Sequence, residues 1–193
     1  MAIRRFHLFG AAGSGTTTLG RRLAADRGLS HFDTDDFFWE TKYTAILPAA
    51  ERLARLAPAL DGADGWVLSG SLCGWGDPLI PRFGLAVFLY LPPAVRMERL
   101  ARREAERYGA DIAEGGPRRA AYLEFMEWAA SYDGFGPERR SLAMHERWMA
   151  ALPCPVLQLR GERALDAAAA EVAAAAEVAA AAEVAAAIER PGN

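Results

Sequence analysis

The sequence predicts an α/β fold, a five-stranded parallel sheet flanked by helices, on three observations. Short apolar segments alternate with helical ones through the first 160 residues, the pattern of parallel strands joined by crossover helices. Leu85 to Leu91 reads Leu-Ala-Val-Phe-Leu-Tyr-Leu, the nearly unbroken apolar run of a strand buried on both faces. The first strand runs into a glycine-rich turn that opens a helix, the start of a parallel βα unit.

Residues 3–9 form the first predicted strand, ending at Gly10. Residues 16–27 follow as a helix with Leu19 and Leu23 four apart on one face, and Gly28 stands where a left-handed cap is wanted. Ser30-His31-Phe32 is a brief second strand that closes on Asp33-Thr34-Asp35-Asp36. Residues 48–60 read as a helix, and Trp66-Val67-Leu68 as a third strand ending at Ser69-Gly70-Ser71. The fourth strand is the run from Leu85, stopped by Pro92 and Pro93; Pro93 suits the first turn of a helix over 94–107. Residues 108–155 contain no strand pattern. They offer two helices, about 118–131 and 138–150, joined by Asp133-Gly134-Phe135-Gly136-Pro137, and read as a mobile excursion from the sheet that begins in the glycine-rich stretch 108–117. Val156 to Leu159 is the fifth strand. From Ala164 the chain is alanine-rich, with Glu-Val-Ala-Ala-Ala-Ala repeated from Glu171, and alanine favours a helix. Six residues rotate a helix by roughly 240°, so the valines spread round it instead of forming a stripe. The first turns are expected to pack on the sheet and the end to add little. The chain thus divides into residues 1–163, with a lid excursion over about 108–137, and an alanine-rich tail over 164–193.

Composition removes several classes. Of 193 residues 52% are apolar and 24% charged, a globular balance that excludes a disordered or collagen-like chain. The net charge of -3 argues against a nucleic-acid partner, which needs a concentrated basic face. No apolar run approaches the roughly 18 residues of a membrane span, and the start lacks a long apolar leader, so a cytoplasmic protein is expected. Cys73 and Cys154 have no metal-ligand spacing. The chain has 21 arginines and one lysine, Lys42, so any cation chemistry rests on guanidinium groups or on that one amine.

The strongest motif is Gly10-Ala11-Ala12-Gly13-Ser14-Gly15-Thr16-Thr17, between a predicted strand and a helix. Successive backbone N–H groups in such a turn make a concave anion site, and the helix behind adds roughly half a positive charge. Gly13 and Gly15 permit positive φ and leave space for phosphate oxygens. Gly10, Ala12, Gly13, Ser14, Gly15, Thr16, Thr17 and Thr18 are therefore the expected nucleotide-binding residues, with ATP and Mg²⁺ as the bound species and Thr17 presenting a hydroxyl to the metal. Thr16 stands where such loops carry a lysine. Either another cation, an arginine, supplies the charge, or the protein binds nucleotide with little turnover.

This loop resembles that of adenylate-kinase-like small-molecule kinases of the P-loop NTPase class, some of which carry Gly-Thr-Thr. With Asp33-Thr34-Asp35-Asp36-Phe37-Phe38-Trp39 and Ser69-Gly70-Ser71-Leu72-Cys73-Gly74-Trp75-Gly76-Asp77, it resembles most the bacterial ATP-binding proteins of topology-modulation type. The resemblance covers most of residues 3–160. It implies a sheet of order 2-3-1-4-5, an acceptor side suited to a nucleoside monophosphate, and a helical lid. Asp33-Thr34-Asp35 is similar to the Asp-x-Asp of shikimate-kinase-like enzymes; carried over, Asp33 holds Mg²⁺ through water and Asp35 orients and deprotonates an acceptor hydroxyl. Asp35, Arg55, Gly70, Ser71, Trp75, Asp77 and Arg82 are the expected acceptor-side residues. Arg103, Arg139 and Arg140 are the expected catalytic arginines, lid groups that close on the transferred phosphate. His7, His31 and His145 share no ligand spacing and receive no role. The expected activity is phosphoryl transfer from ATP to a small molecule; a nucleotide-binding regulator and an interaction module using the tail are the other classes.

Overall fold

The computed structural model describes residues 2–41 and 44–189; Lys42 lies outside them. Strands β1 (Arg5–Gly10), β2 (Ser30–Asp33), β5 (Trp66–Ser69), β6 (Leu85–Tyr90) and β7 (Val156–Arg160) form one parallel sheet in the order β2-β5-β1-β6-β7. Counting only these five, that is the expected 2-3-1-4-5. Between β2 and β5 lie the one-turn helix α2 (Asp35–Phe38) and a short antiparallel pair, β3 (Trp39–Thr41) and β4 (Ala45–Ile46), which the sequence pattern did not indicate. A two- or three-residue strand is too short to show a period.

Alternation along β1 sends Phe6 and Leu8 to one face and His7 and Phe9 to the other, all fully buried. On the first face Leu19 and Leu23 of α1 (Thr16–Arg27) pack with Val67, Val87 and the last helix, α7 (Leu165–Glu189). On the second, Leu56 and Leu60 of α3 (Ala49–Asp61) join Trp66, Phe88 and Trp148 of α6 (Leu142–Ala150). α7 buries Ala168, Val172, Ala176 and Ala179, while Val178 is 71% exposed. Its contact stripe is mostly alanine with the one valine Val172, which is why no valine period announced it.

α4 (Pro93–Tyr108) starts at Pro93 as expected, and α5 (Arg119–Ala130) falls where a helix was predicted. α6 begins later than predicted, at Leu142, because Ser141 caps it: its Oγ accepts from Met144 N and donates to Gly136 O. Residues Gly109–Ile112 wind into a 3₁₀ turn with Ile112 buried. No helix among the described residues is long and apolar enough to cross a membrane.

Candidate functional site

The carboxyl ends of β1, β2 and β5 lie side by side, and the segments leaving them line one cleft of about 1270 Å³. That exceeds the roughly 300–1,000 Å³ of a pocket for one small ligand. Eight arginines and five carboxylates line it, so its charge favours anions.

The floor is the glycine loop. Gly13 has φ 81 and Gly15 φ 96, the left-handed region that the sequence anticipated. A Cβ on Gly13 would press on Arg96 O at 2.9 Å, so glycine there also lets α4 approach. At Gly15 a Cβ would meet nothing within 4 Å: the constraint is backbone conformation beside open space. No side chain caps α1, so its first N–H groups are left without side-chain partners at the residues, Thr16 to Thr18, that line the cleft. These features fit a phosphate group. Ala12, Gly13, Gly15, Thr16, Thr17 and Thr18 line the cleft. Gly10 and Ser14 lie behind it: Gly10 packs on Leu89, and Ser14 lines a neighbouring cavity of about 270 Å³.

The Thr17 hydroxyl donates to Asp33 Oδ2 at 2.8 Å, joining the helix start to the tip of β2. The other Asp33 oxygen accepts the backbone N–H of Asp35 at 3.0 Å, an Asx turn that begins α2 and places Asp35 on the same wall. A hydroxyl and a carboxylate at this separation are hard oxygen donors suited to Mg²⁺, which is held by few protein ligands and by substrate phosphates.

Gly70 (φ 106), Ser71 and Trp75 form the wall beyond β5. Gly70 faces Thr34 so closely that any Cβ would overlap the threonine hydroxyl. Trp75 is 7% exposed and donates to Ser71 O at 3.2 Å, so it braces its own loop while lining the cleft. Arg52, not Arg55, reaches this wall. Its guanidinium stacks on Phe38 at 3.9 Å, and its Nε donates to Leu47 O. Arg55 points to solvent with Glu51.

Three further expected residues lie off the cleft. Asp77 accepts from Trp148 Nε1 at 2.8 Å and so ties a surface turn to α6. Arg82 pairs with Asp61 at 2.7 Å and holds the end of α3. Arg139 stacks on Phe135 at 3.7 Å, exposed. These corrections share one cause: each polar group is spent on a neighbouring loop or helix end before it can reach the rim.

Arg103 and Arg140 do line the cleft. Arg103 pairs with Glu104 at 2.8 Å. Arg140 reaches from before α6 to donate to Gly10 O at 2.9 Å, at the foot of the glycine loop, with its guanidinium 5.6 Å from the Trp128 ring centre. Burial lowers its pKa from the usual arginine range, and the carboxylates of Asp35 and Asp33 are among the charges that oppose the shift.

The sequence reading missed the supports of this arrangement. Arg96, wholly buried in the first turn of α4, pairs with Asp133 and donates to Leu91 O at 3.1 Å and Ala129 O at 3.2 Å. His145, also wholly buried, has Ser71 Oγ at 2.9 Å on Nε2 and the Tyr132 hydroxyl at 2.6 Å on Nδ1. Burial, with Arg140 nearby, pulls its pKa down to about 3. Nothing periodic marks either residue, since their side-chain partners lie 13 to 74 positions away in sequence.

No family model matches the chain. It is 43% identical over 159 residues to the Bacillus subtilis protein described as uncharacterized protein YqaC, over 82% of this chain and 89% of that one. It is 32% identical over 110 residues to a cytidylate kinase of Pyrococcus horikoshii, over 49% of this chain and 55% of the kinase. Shikimate kinase from Acinetobacter baumannii, solved with shikimate, superposes with a TM-score of 0.54 at 17% identity, over 88% of this chain and 90% of that one. A sugar kinase from Janibacter does so with a TM-score of 0.50 at 16% identity, over 90% and 98%. At such identities the likeness is one of fold, that of the P-loop kinases.

Proposed function

This chain belongs to the same family as the Bacillus subtilis protein YqaC, and we propose that it is a phosphotransferase that moves the γ-phosphoryl group of ATP to a small acceptor, a nucleoside monophosphate being the first candidate. The observation that carries the reading is the contact of Thr17 Oγ1 with Asp33 Oδ2 at 2.8 Å, at the mouth of an uncapped helix and one turn from Asp35. Loop N–H groups bind the phosphates; Thr17 and Asp33 would hold Mg²⁺, which neutralises phosphate charge when bound. Asp35 orients the acceptor hydroxyl and takes its proton. Arg52 and Trp75 line the acceptor side. Arg140 stands in for the lysine that Thr16 replaces: of the two adjacent arginines it alone lies in the cleft, at the foot of the loop. Catalysis is positioning plus charge neutralisation. The finer kinship with topology-modulation-type proteins rests on Gly15-Thr16-Thr17 and the two segments after β2 and β5. Residues 108–137 are proposed as the lid, and 164–193 as an appended alanine-rich segment.

Thr16 is also the one feature that favours a nucleotide-binding regulator with little turnover. A coupled ADP-release assay with Mg²⁺-ATP and a panel of cytidine and other nucleoside monophosphates, shikimate and related hydroxylated metabolites separates the two. Acceptor-dependent ADP release is expected. ATP binding with no release for any acceptor would establish the regulator reading instead.

A further inference from the structure

Beneath the acceptor wall lies a hydrogen-bonded chain that neither the loop nor the carboxylates account for. Ser71, two residues past the end of β5, lines the cleft. Its Oγ meets His145 Nε2 at 2.9 Å, and His145 Nδ1 meets the Tyr132 hydroxyl at 2.6 Å. His145 is 0% and Tyr132 4% exposed. Phe9 and Phe88 present ring edges to the imidazole at 5.4 and 5.9 Å, so its orientation is fixed by packing as well as by hydrogen bonds.

The direction of the chain can be deduced. Burial keeps the imidazole neutral, and the Arg140 guanidinium nearby also disfavours a second proton, as a charge on the buried His7 would. A neutral imidazole has one donor and one acceptor nitrogen. If Nδ1 carried the hydrogen, the Tyr132 oxygen would accept it. The tyrosine O–H would then need another acceptor, and none among the described residues is within hydrogen-bonding reach. An unmade buried hydrogen bond costs about 1–3 kcal/mol. If Tyr132 donates to Nδ1 instead, Nε2 carries the hydrogen and donates to Ser71 Oγ, and the tyrosine hydroxyl and both imidazole nitrogens are satisfied. The Ser71 proton is then left to point elsewhere, to the Cys73 thiol beside it, a weak acceptor, or into the cleft.

We propose that Tyr132 and His145 are positioning residues that fix Ser71 as a hydrogen-bond donor to an oxyanion of the phosphoryl acceptor. The proposal rests on the kinase reading for the identity of the ligand, but not for the direction of the chain. Ser71 touches the acceptor; His145 and Tyr132 act only through it. Tyr132 lies in the turn that follows α5, and Asp133 is held by Arg96, so the donor is set from the excursion.

The test has two arms. In protein labelled with ¹⁵N-histidine and free of nucleotide, ¹H–¹⁵N correlation reads the tautomer. Hydrogen on Nε2 of His145, unchanged between pH 7 and 5, is expected, and Tyr132→Phe should release the bias so that hydrogen on Nδ1 becomes detectable. Hydrogen on Nδ1 in the wild type, or an imidazolium at pH 7, overturns the proposal. In the ADP-release assay, with whichever nucleoside monophosphate turns over, Ser71→Ala and Tyr132→Phe should each raise the acceptor KM about tenfold, the scale of one hydrogen bond. The ATP KM should not move, and the double variant should be no worse than Ser71→Ala. His145→Gln, which keeps an N–H for Ser71, should recover most of the loss seen with His145→Phe. Additive losses, or a Tyr132→Phe enzyme like the wild type, would reduce the chain to packing. Absence of turnover with every acceptor would count against the kinase reading alone, because the tautomer is read without ligand.

Discussion

The glycine loop and the helical excursion over residues 109–150 face the same cleft and are built in opposite ways. The loop acts through its backbone: positive φ at Gly13 and Gly15, an uncapped helix, and one side-chain contact, Thr17 to Asp33. The excursion acts through long side chains anchored at a distance: Arg96 on Asp133, Tyr132 on His145, Arg140 on Gly10 O. A site encoded in backbone conformation is local in sequence, so its spacing shows. A site encoded in side chains that reach across tens of residues has no spacing to show.

The largest effect should come from breaking the backbone side. Gly15→Val is expected to abolish ATP binding, because a branched side chain resists φ 96 and fills the space beside the loop. The fold should persist, since the position meets no neighbour within 4 Å. Calorimetry on the folded variant decides, and unchanged affinity would remove the phosphate-loop assignment.

The excursion should break by stability instead. Arg96→Ala leaves the Asp133 carboxylate without its cation and frees two carbonyls, a loss of about 3–5 kcal/mol for a buried pair. Urea unfolding should show it, and hydrogen exchange should place the extra opening in residues 119–150. A loss under about 1 kcal/mol would mean that the pair does not anchor the excursion.

These two regions also show what was legible. The strand order, the glycine loop and the Asp33–Asp35 rim followed from period, glycine placement and resemblance. Asp77, Arg82, Arg55 and Arg139 were misplaced because sequence shows that a polar group exists but not which neighbour claims it. Arg52 and Arg55 both belong to α3 and look alike in the sequence; the stack on Phe38, from an unforeseen one-turn helix, and the bond to Leu47 O turn one of them inward. His145 carried no signal at all, since a buried histidine between a serine and a tyrosine is visible only once three distant segments meet.

Asp35→Asn sharpens the comparison at the point where the regions meet. Turnover should fall by at least about 10²-fold, the scale of a lost general base, while ATP affinity stays near that of the wild type. Wild-type turnover would confine Asp35 to its turn.

The smallest effect is a slope. Burial holds His7, in β1, and His145, in α6, at pKa values of about 3, against 6.5 for the free side chain. The unfolded chain binds more protons below about pH 6.5, so both contributions to stability are complete above that pH and are lost as it falls toward 3. Urea midpoints should drop from pH 7 to 5, and His145→Gln should drop less steeply. An equal slope would mean that His145 titrates like a free histidine.

The central claim is that Arg140, delivered by the excursion, completes a loop that has Thr16 where such loops carry lysine. The direct measurement is acceptor-dependent ADP release by Arg139→Ala, Arg140→Ala and the double variant Arg140→Ala with Thr16→Lys. Arg139→Ala should match the wild type. Arg140→Ala should lose about 10²-fold or more in kcat, as for removal of a preorganised charge-stabilising group, and Thr16→Lys should restore a large part of it. Wild-type turnover in Arg140→Ala, or no recovery from Thr16→Lys, would contradict the account.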